Sequence, residues 1–175
     1  MIIRVAIVIG LLLAVLLLFA ATKPNTIHIQ RSITINASPG KVFNLINDLH
    51  SWKDWDPQGR EDPTLSRTYG GPSSGVGAFS DWEGHGNTGK GRMMIVESLP
   101  NRNVTIKVDF IKPFQSENMN EFSLEPVGDA TKVTWTWNGT NVYFMKVMSV
   151  FVNMDKMLGK HFEDGLANLK TTAEN

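Results

Sequence analysis

Chemistry in this chain has to come from a small set of side chains, and cysteine is not among them. Disulfides, thiolate nucleophiles and cysteine-bound metals are thereby excluded. Two glycine-rich stretches have the spacing of catalytic loops. Gly84-His85-Gly86-Asn87-Thr88-Gly89-Lys90-Gly91 reads G-x-x-x-x-G-K, one residue short of a phosphate-binding loop. That loop needs a Ser or Thr hydroxyl for Mg²⁺ after the lysine, and a helix whose amides face the anion. Gly91 offers no hydroxyl, and Arg92 to Ser98 reads as a strand leaving a turn, so a glycine-rich hairpin is expected instead. Gly71-Pro72-Ser73-Ser74-Gly75 matches G-x-S-x-G. A nucleophile elbow needs a helix after the serine, whereas Val76-Gly77-Ala78-Phe79 continues as strand, so this is read as a loop.

The four histidines, His28, His50, His85 and His161, show neither H-E-x-x-H spacing nor a local carboxylate cluster. No metal or cofactor site is expected from them. His161 falls near an apolar helical stripe. There it faces a cavity as a donor or general base, or sits at a boundary with a satisfied hydrogen bond. Arg31 interrupts an apolar strand face. A guanidinium there anchors a ligand carboxylate or phosphate, or pairs with a carboxylate at a sheet edge, Glu83 and Asp109 being candidates.

The elements that position these groups follow from periodicity. Ile27, Ile29, Ile33 and Ile35 alternate with polar residues, as in a half-buried strand. Ser38-Pro39 starts a short helix carrying Val42, Leu45, Ile46 and Leu49. The run Trp52-Lys53-Asp54-Trp55-Asp56-Pro57 ends it. From Asp62 to Thr140, short alternating segments joined by turns predict an antiparallel meander. At the C-terminus, Met154, Met157, Leu158, Phe162, Leu166 and Leu169 form one helical stripe, which Phe144, Val147, Met148 and Phe151 extend upstream. Asp155 is the expected cap at a break in that helix. The result is an α+β arrangement with a cavity wherever the sheet bends around the long helix. Trp82, Met94, Phe110, Phe122, Trp135, Trp137, Phe151, Met154, Leu158 and Phe162, with Arg31 and His161, are the candidate wall of that cavity. The same residues also suit a filled core.

Val5 to Ala21 carries no charge and spans about 26 Å as a helix, near the thickness of a bilayer core. Bulky residues occupy the position that signal cleavage requires to be small, so an uncleaved anchor is expected. With so little chain ahead of the span, the N-terminus is placed in the cytoplasm and the domain outside. The expected division is 1–25, anchor and linker, and 26–175, one domain. The 17 basic and 17 acidic residues balance, so no general attraction to nucleic acid is implied.

The segment INASPGKVFNLINDLHSWKDWDP, the glycine hairpin after DWEG and the tail NMDKMLGKHFEDGLANLK resemble the START-like (SRPBCC) superfamily, and its bacterial polyketide cyclase/dehydrase-like branch in particular. The resemblance covers nearly all of residues 26–172. It implies a helix-grip fold, with a curved antiparallel sheet around the long C-terminal helix and a hydrophobic cavity between them. It does not imply one activity. The leading expectation is a membrane-anchored domain that binds a small hydrophobic molecule or lipid without transforming it. The alternatives are a cyclase or dehydratase-like enzyme, with His161 and Arg31 as the only candidate acid/base groups, and a partner-binding module with a filled core. The sequence leaves the oligomeric state open.

Overall fold

The computed structural model describes every residue except Asn87 and the side chains of Arg60 and Glu61. An N-terminal helix, α1 (Ile2–Ala21), is followed by β1 (Thr26–Ile35), α2 (Pro39–Asn47), a 3-10 turn (Ser51–Asp54) and α3 (Gln58–Glu61). Six strands come next: β2 (Ser66–Gly70), β3 (Phe79–Glu83), β4 (Lys90–Leu99), β5 (Asn103–Lys112), β6 (Ser116–Val127) and β7 (Ala130–Thr140). Two helices end the chain, α4 (Tyr143–Met148) and α5 (Met154–Glu174).

The strands make one antiparallel sheet in the order β1-β7-β6-β5-β4-β3-β2. Consecutive strands pair as hairpins, while β1 pairs with the last strand, Thr26 opposite Thr140 and Ile35 opposite Thr131. Register shifts at Lys90/Gly91 and at Ile95/Glu97 in β4 sharpen the curvature of the sheet. The 21-residue α5, about 31 Å long, lies against the concave face. This is the expected helix-grip architecture.

Local chemistry explains the element ends. The Ser38 hydroxyl accepts from the Lys41 amide at the start of α2, with Pro39 in the first turn. The cap of α5 is Asn153, whose side chain accepts from the Lys156 amide. Asp155, expected as that cap, instead pairs with Arg31. The apolar stripe does not run on upstream. α4 is a separate short helix, and Phe144, Met148 and Phe151 are exposed. Met157 is exposed too, so within α5 the buried line runs through Phe162, Leu166, Leu169 and Ala173.

The core is rich in indoles, and Trp52, Trp55, Trp82 and Trp135 have their N–H groups satisfied, as burial favours. Trp52 donates to the Ile46 carbonyl at 2.9 Å, Trp55 to the Leu45 carbonyl at 3.1 Å, and Trp135 to the Asn120 side chain at 3.1 Å. α1 stands apart from this core. Ala20 is its one buried residue, and its length and composition suffice to cross a membrane.

Candidate functional site

The grip between sheet and α5 has two unlike halves. Around the C-terminal half of α5 it is closed. Phe122 is fully buried among Trp135 at 4.7 Å, Trp52 at 5.9 Å and Trp55 at 6.1 Å between ring centroids. Trp135 stacks on Phe162 of α5 at 4.5 Å. The chain after the 3-10 turn enters the same space. The Asn168 side chain donates to the Trp55 carbonyl at 3.0 Å, and Gly165 lets α5 approach Trp135 and Pro57, where a Cβ would stand 2.8 Å from the indole. Trp52, Trp55 and Phe122 therefore fill this end as core.

Around the N-terminal half the packing is looser. Met154, Leu158 and His161 are only half-buried, as is Phe110 on the sheet. Phe110 meets Trp82 edge-on at 5.3 Å, and Trp137 meets Phe162 at 6.4 Å. Among the described residues, three unpaired polar atoms are set into the same concave face, Arg67 Nη1 being one of them. Ser80 Oγ and Asn118 Oδ1 are buried with no hydrogen-bond partner among the described residues. An unsatisfied buried polar atom is costly, and in a native structure it asks for an explanation. Nearby on that face, Arg67 and Asp56 form a buried ion pair, with Gln58 also accepting from Arg67 at 3.0 Å. Sequence reasoning missed Arg67, Ser80 and Asn118. The signal was their phase: Arg67 lies opposite Trp82, Ser80 opposite Met93 and Asn118 opposite Val108, so all share the inward face.

Two expected wall residues lie elsewhere. Met94 is on the outer face, opposite Phe79 and Lys107, and Met93 takes the inward position. The physical reason is period: strands place neighbouring residues on opposite faces. Phe151 is 70% exposed in the linker before α5.

Arg31 stands at an edge strand and its partners come from α5. Its Nε donates to Glu163 at 2.8 Å, and Nη2 donates to the Asp155 carboxylate at 2.9 Å and to the Asp155 carbonyl at 3.1 Å. Nη1 donates to the Gln30 carbonyl and to Asp155. Every guanidinium nitrogen is thus engaged within the protein. Glu83 and Asp109, the partners expected from sequence, pair with Lys90 and Lys107. Gly159 makes room for the guanidinium, since a Cβ there would sit 2.0 Å from Arg31 Nη2. His161 lies two residues on from Gly159, about 200° round the helix, so the two nominated acid/base groups face opposite ways.

The displaced pKa values point the same way. Among the described residues, every carboxylate whose pKa departs clearly from its ordinary range is held low. Thr64 and the His85 amide bring Asp62 down to about 2. Arg92 lowers Asp81, Lys90 lowers Glu83, Arg31 lowers Asp155, and the Asn36 amide lowers Glu174. These groups are fixed as anions, whereas a general acid at neutral pH needs the opposite shift.

The two catalytic-looking loops are structural. Strand β4, not a helix, follows Gly89, and Lys90 donates to Glu83 at 2.9 Å across the hairpin. Gly89 has φ +60°, and at Gly91 a Cβ would strike the Trp82 indole at 2.3 Å. The glycines therefore serve a tight turn and a close approach. Asn87 of this stretch lies outside the described residues. The G-x-S-x-G stretch leads through a turn into β3, with no helix behind the serine. Among the described residues no three histidine or carboxylate side chains cluster as a metal site would require. His28 bonds the Asn138 side chain at 2.7 Å, His50 stacks on Tyr69 at 4.1 Å, and His85 bonds the Thr64 hydroxyl at 2.8 Å.

A curved antiparallel sheet gripping one long C-terminal helix, with an aromatic-walled concave face, defines the START-like class. Residues 26–174 match the family described as polyketide cyclase / dehydrase and lipid transport, and the chain belongs to that family. Solved structures with the same fold include protein CV1439 from Chromobacterium violaceum, at 14% identity and TM-score 0.61, covering 87% of this chain and 99% of that one. The di-domain ARO/CYC StfQ of the steffimycin biosynthetic pathway has 11% identity and TM-score 0.63, with 85% of this chain and 51% of that one covered. The Aha1 dimer from Colwellia psychrerythraea has 22% identity and TM-score 0.56, with 85% and 96% covered. These likenesses establish the fold. No curated protein matches the chain.

Proposed function

We propose that this protein is a membrane-anchored binding domain that takes a small hydrophobic molecule or lipid into the looser half of its grip and releases it unchanged. The observation that carries this reading is the contrast along α5. Leu166 and Leu169 are sealed, while Met154, Leu158 and His161 remain half-buried, as does Phe110 on the sheet. Apolar ligand surface buried there contributes roughly 25 cal/mol per Å². Ser80 Oγ and Asn118 Oδ1 are the polar handles that orient the guest, the usual pairing of apolar wall and few polar groups. The family description, which includes lipid transport, supports the ligand class. The separation of Arg31 from His161, and the lowered carboxylates, support binding over cyclase or dehydratase chemistry. α1 is the anchor, with its N-terminus in the cytoplasm and the domain on the other side.

The test uses an apolar fluorescent probe on the full chain. Saturable binding is expected, and Leu158→Trp is expected to weaken it while the fold and melting temperature hold. If the space is solid core, the wild type binds no probe and Leu158→Trp costs about 1–3 kcal/mol by overpacking. That pair of results would end the binding proposal.

A further inference from the structure

The end of the sheet nearest α1 carries an apolar rim that the folded domain leaves uncovered. Phe151 is 70% exposed, Phe144 51%, Tyr143 49% and Phe114 47%. These are not scattered residues. Phe114, in the turn between β5 and β6, packs its ring 4.7 Å from Phe144 of α4. Phe151 and Lys23 line one shallow concavity. Exposed apolar side chains gathered at one end of the sheet in this way mark an interaction surface.

The position of α1 identifies what covers it. The Tyr143 hydroxyl donates to the Leu17 carbonyl at 2.9 Å. Leu17 is one helical turn inside the end of α1 at Ala21. The start of α4 is therefore level with the last turn of α1, not above it. If α1 crosses a bilayer, α4 lies at the depth where hydrocarbon meets headgroups. The chemistry of the rim suits that depth. Tyrosine is favoured at the interface and phenylalanine on the apolar face of interfacial segments, and Lys23, with its Nζ 4.8 Å from the Phe19 ring centroid, marks the helix exit. The segment from Asn141 to Met154 contains no acidic residue, and neither does the turn from Ile111 to Gln115. Carboxylates would be disfavoured against a lipid surface.

We propose that Phe114, Tyr143, Phe144, Met148 and Phe151 insert into the interfacial zone of the membrane that holds α1. The domain then lies on the bilayer in one orientation, with the looser half of the grip toward the lipid. This inference rests on the reading that α1 spans the membrane. Its physical form is an amphipathic element lying in the interface plane, adding apolar burial to a spanning anchor.

The chain has no cysteine, so single cysteines can be placed cleanly. The full chain is reconstituted in phosphatidylcholine vesicles with an environment-sensitive fluorophore at position 114, 144 or 151. Leu11, mid-way along α1, reports the span, and Asp129 is the remote control. Asp129 lies in the β6–β7 turn, at the opposite end of the sheet from Thr26, about 33 Å away along β1. Lipids carrying a quencher near the headgroup, or near the chain end, report depth. Strong quenching at 114, 144 and 151 by the shallow quencher, at Leu11 by the deep one, and none at Asp129, is expected. Quenching at Leu11 with none at the three rim positions overturns the inference and leaves the anchor intact. A blue-shifted but unquenched rim also overturns it, because protein rather than lipid then covers the patch. No quenching at any position overturns both readings.

Discussion

Asp62 shows how a single carboxylate holds the glycine hairpin in place. It accepts from the Thr64 amide at 2.9 Å, from the Thr64 hydroxyl, and from the His85 amide at 2.7 Å. These bonds favour the anion and bring its pKa down to about 2. The unfolded chain binds that proton at about 3.9. Its contribution to stability is therefore fully present above about pH 4, and is lost as pH falls through about 2. Acid unfolding of Asp62→Asn is expected to lack this part of the pH slope, while wild type and variant run parallel at higher pH. Parallel curves throughout would show that the hairpin is held by other contacts.

At the scale of elements, the N-terminal half of α5 is fastened to β1 by Arg31, which fits because of one glycine, while Lys170 donates to the Thr34 carbonyl further along. Replacing a helical glycine by alanine ordinarily stabilises by about 1 kcal/mol. At Gly159 the added Cβ meets the Arg31 guanidinium, which must leave its carboxylate partners. Gly159→Ala is therefore expected to forfeit that gain in the wild type and to recover it in an Arg31→Met background. Urea unfolding of the four chains of this cycle reads the coupling directly. Equal effects in both backgrounds would mean that the guanidinium shifts freely and does not fasten the helix.

For the whole molecule, the junction between α1 and β1 has a consequence for where the fold begins. Residues 24 and 25 belong to the fold. The Pro24 carbonyl accepts from the Asn141 side chain at 2.8 Å, and the Asn25 side chain accepts from Lys146, which is buried. A chain begun at Lys23 is expected to fold without α1. One begun at Thr26 leaves Lys146 and Asn141 without these partners, and should be less stable by about 1–3 kcal/mol in urea unfolding. Equal stability of the two would place the boundary at Thr26, where composition alone suggests it.

Much of this architecture is local and was readable as period. Alternation in β1 and β7, the Ser38-Pro39 start of α2, the apolar run of α1 and the turn at Gly128-Asp129 are written in neighbouring residues, because pleat and helix repeat over two to four positions. The absence of cysteine, and the missing hydroxyl at Gly91, excluded chemistries outright. Long-range facts were not readable. Arg31 has its partners more than a hundred residues away on α5. Met94 and Met93 differ by one position, and the register of β4 with its neighbours decided which of them faces inward. The stripe through Phe144 and Phe151 had helical spacing, yet the break at Asn153 and the contact of Tyr143 with Leu17 turned it toward α1. Residue type and spacing state what a side chain can do. Which face it occupies, and what lies opposite, depends on how distant segments pack, and that information exists only once the chain has closed on itself.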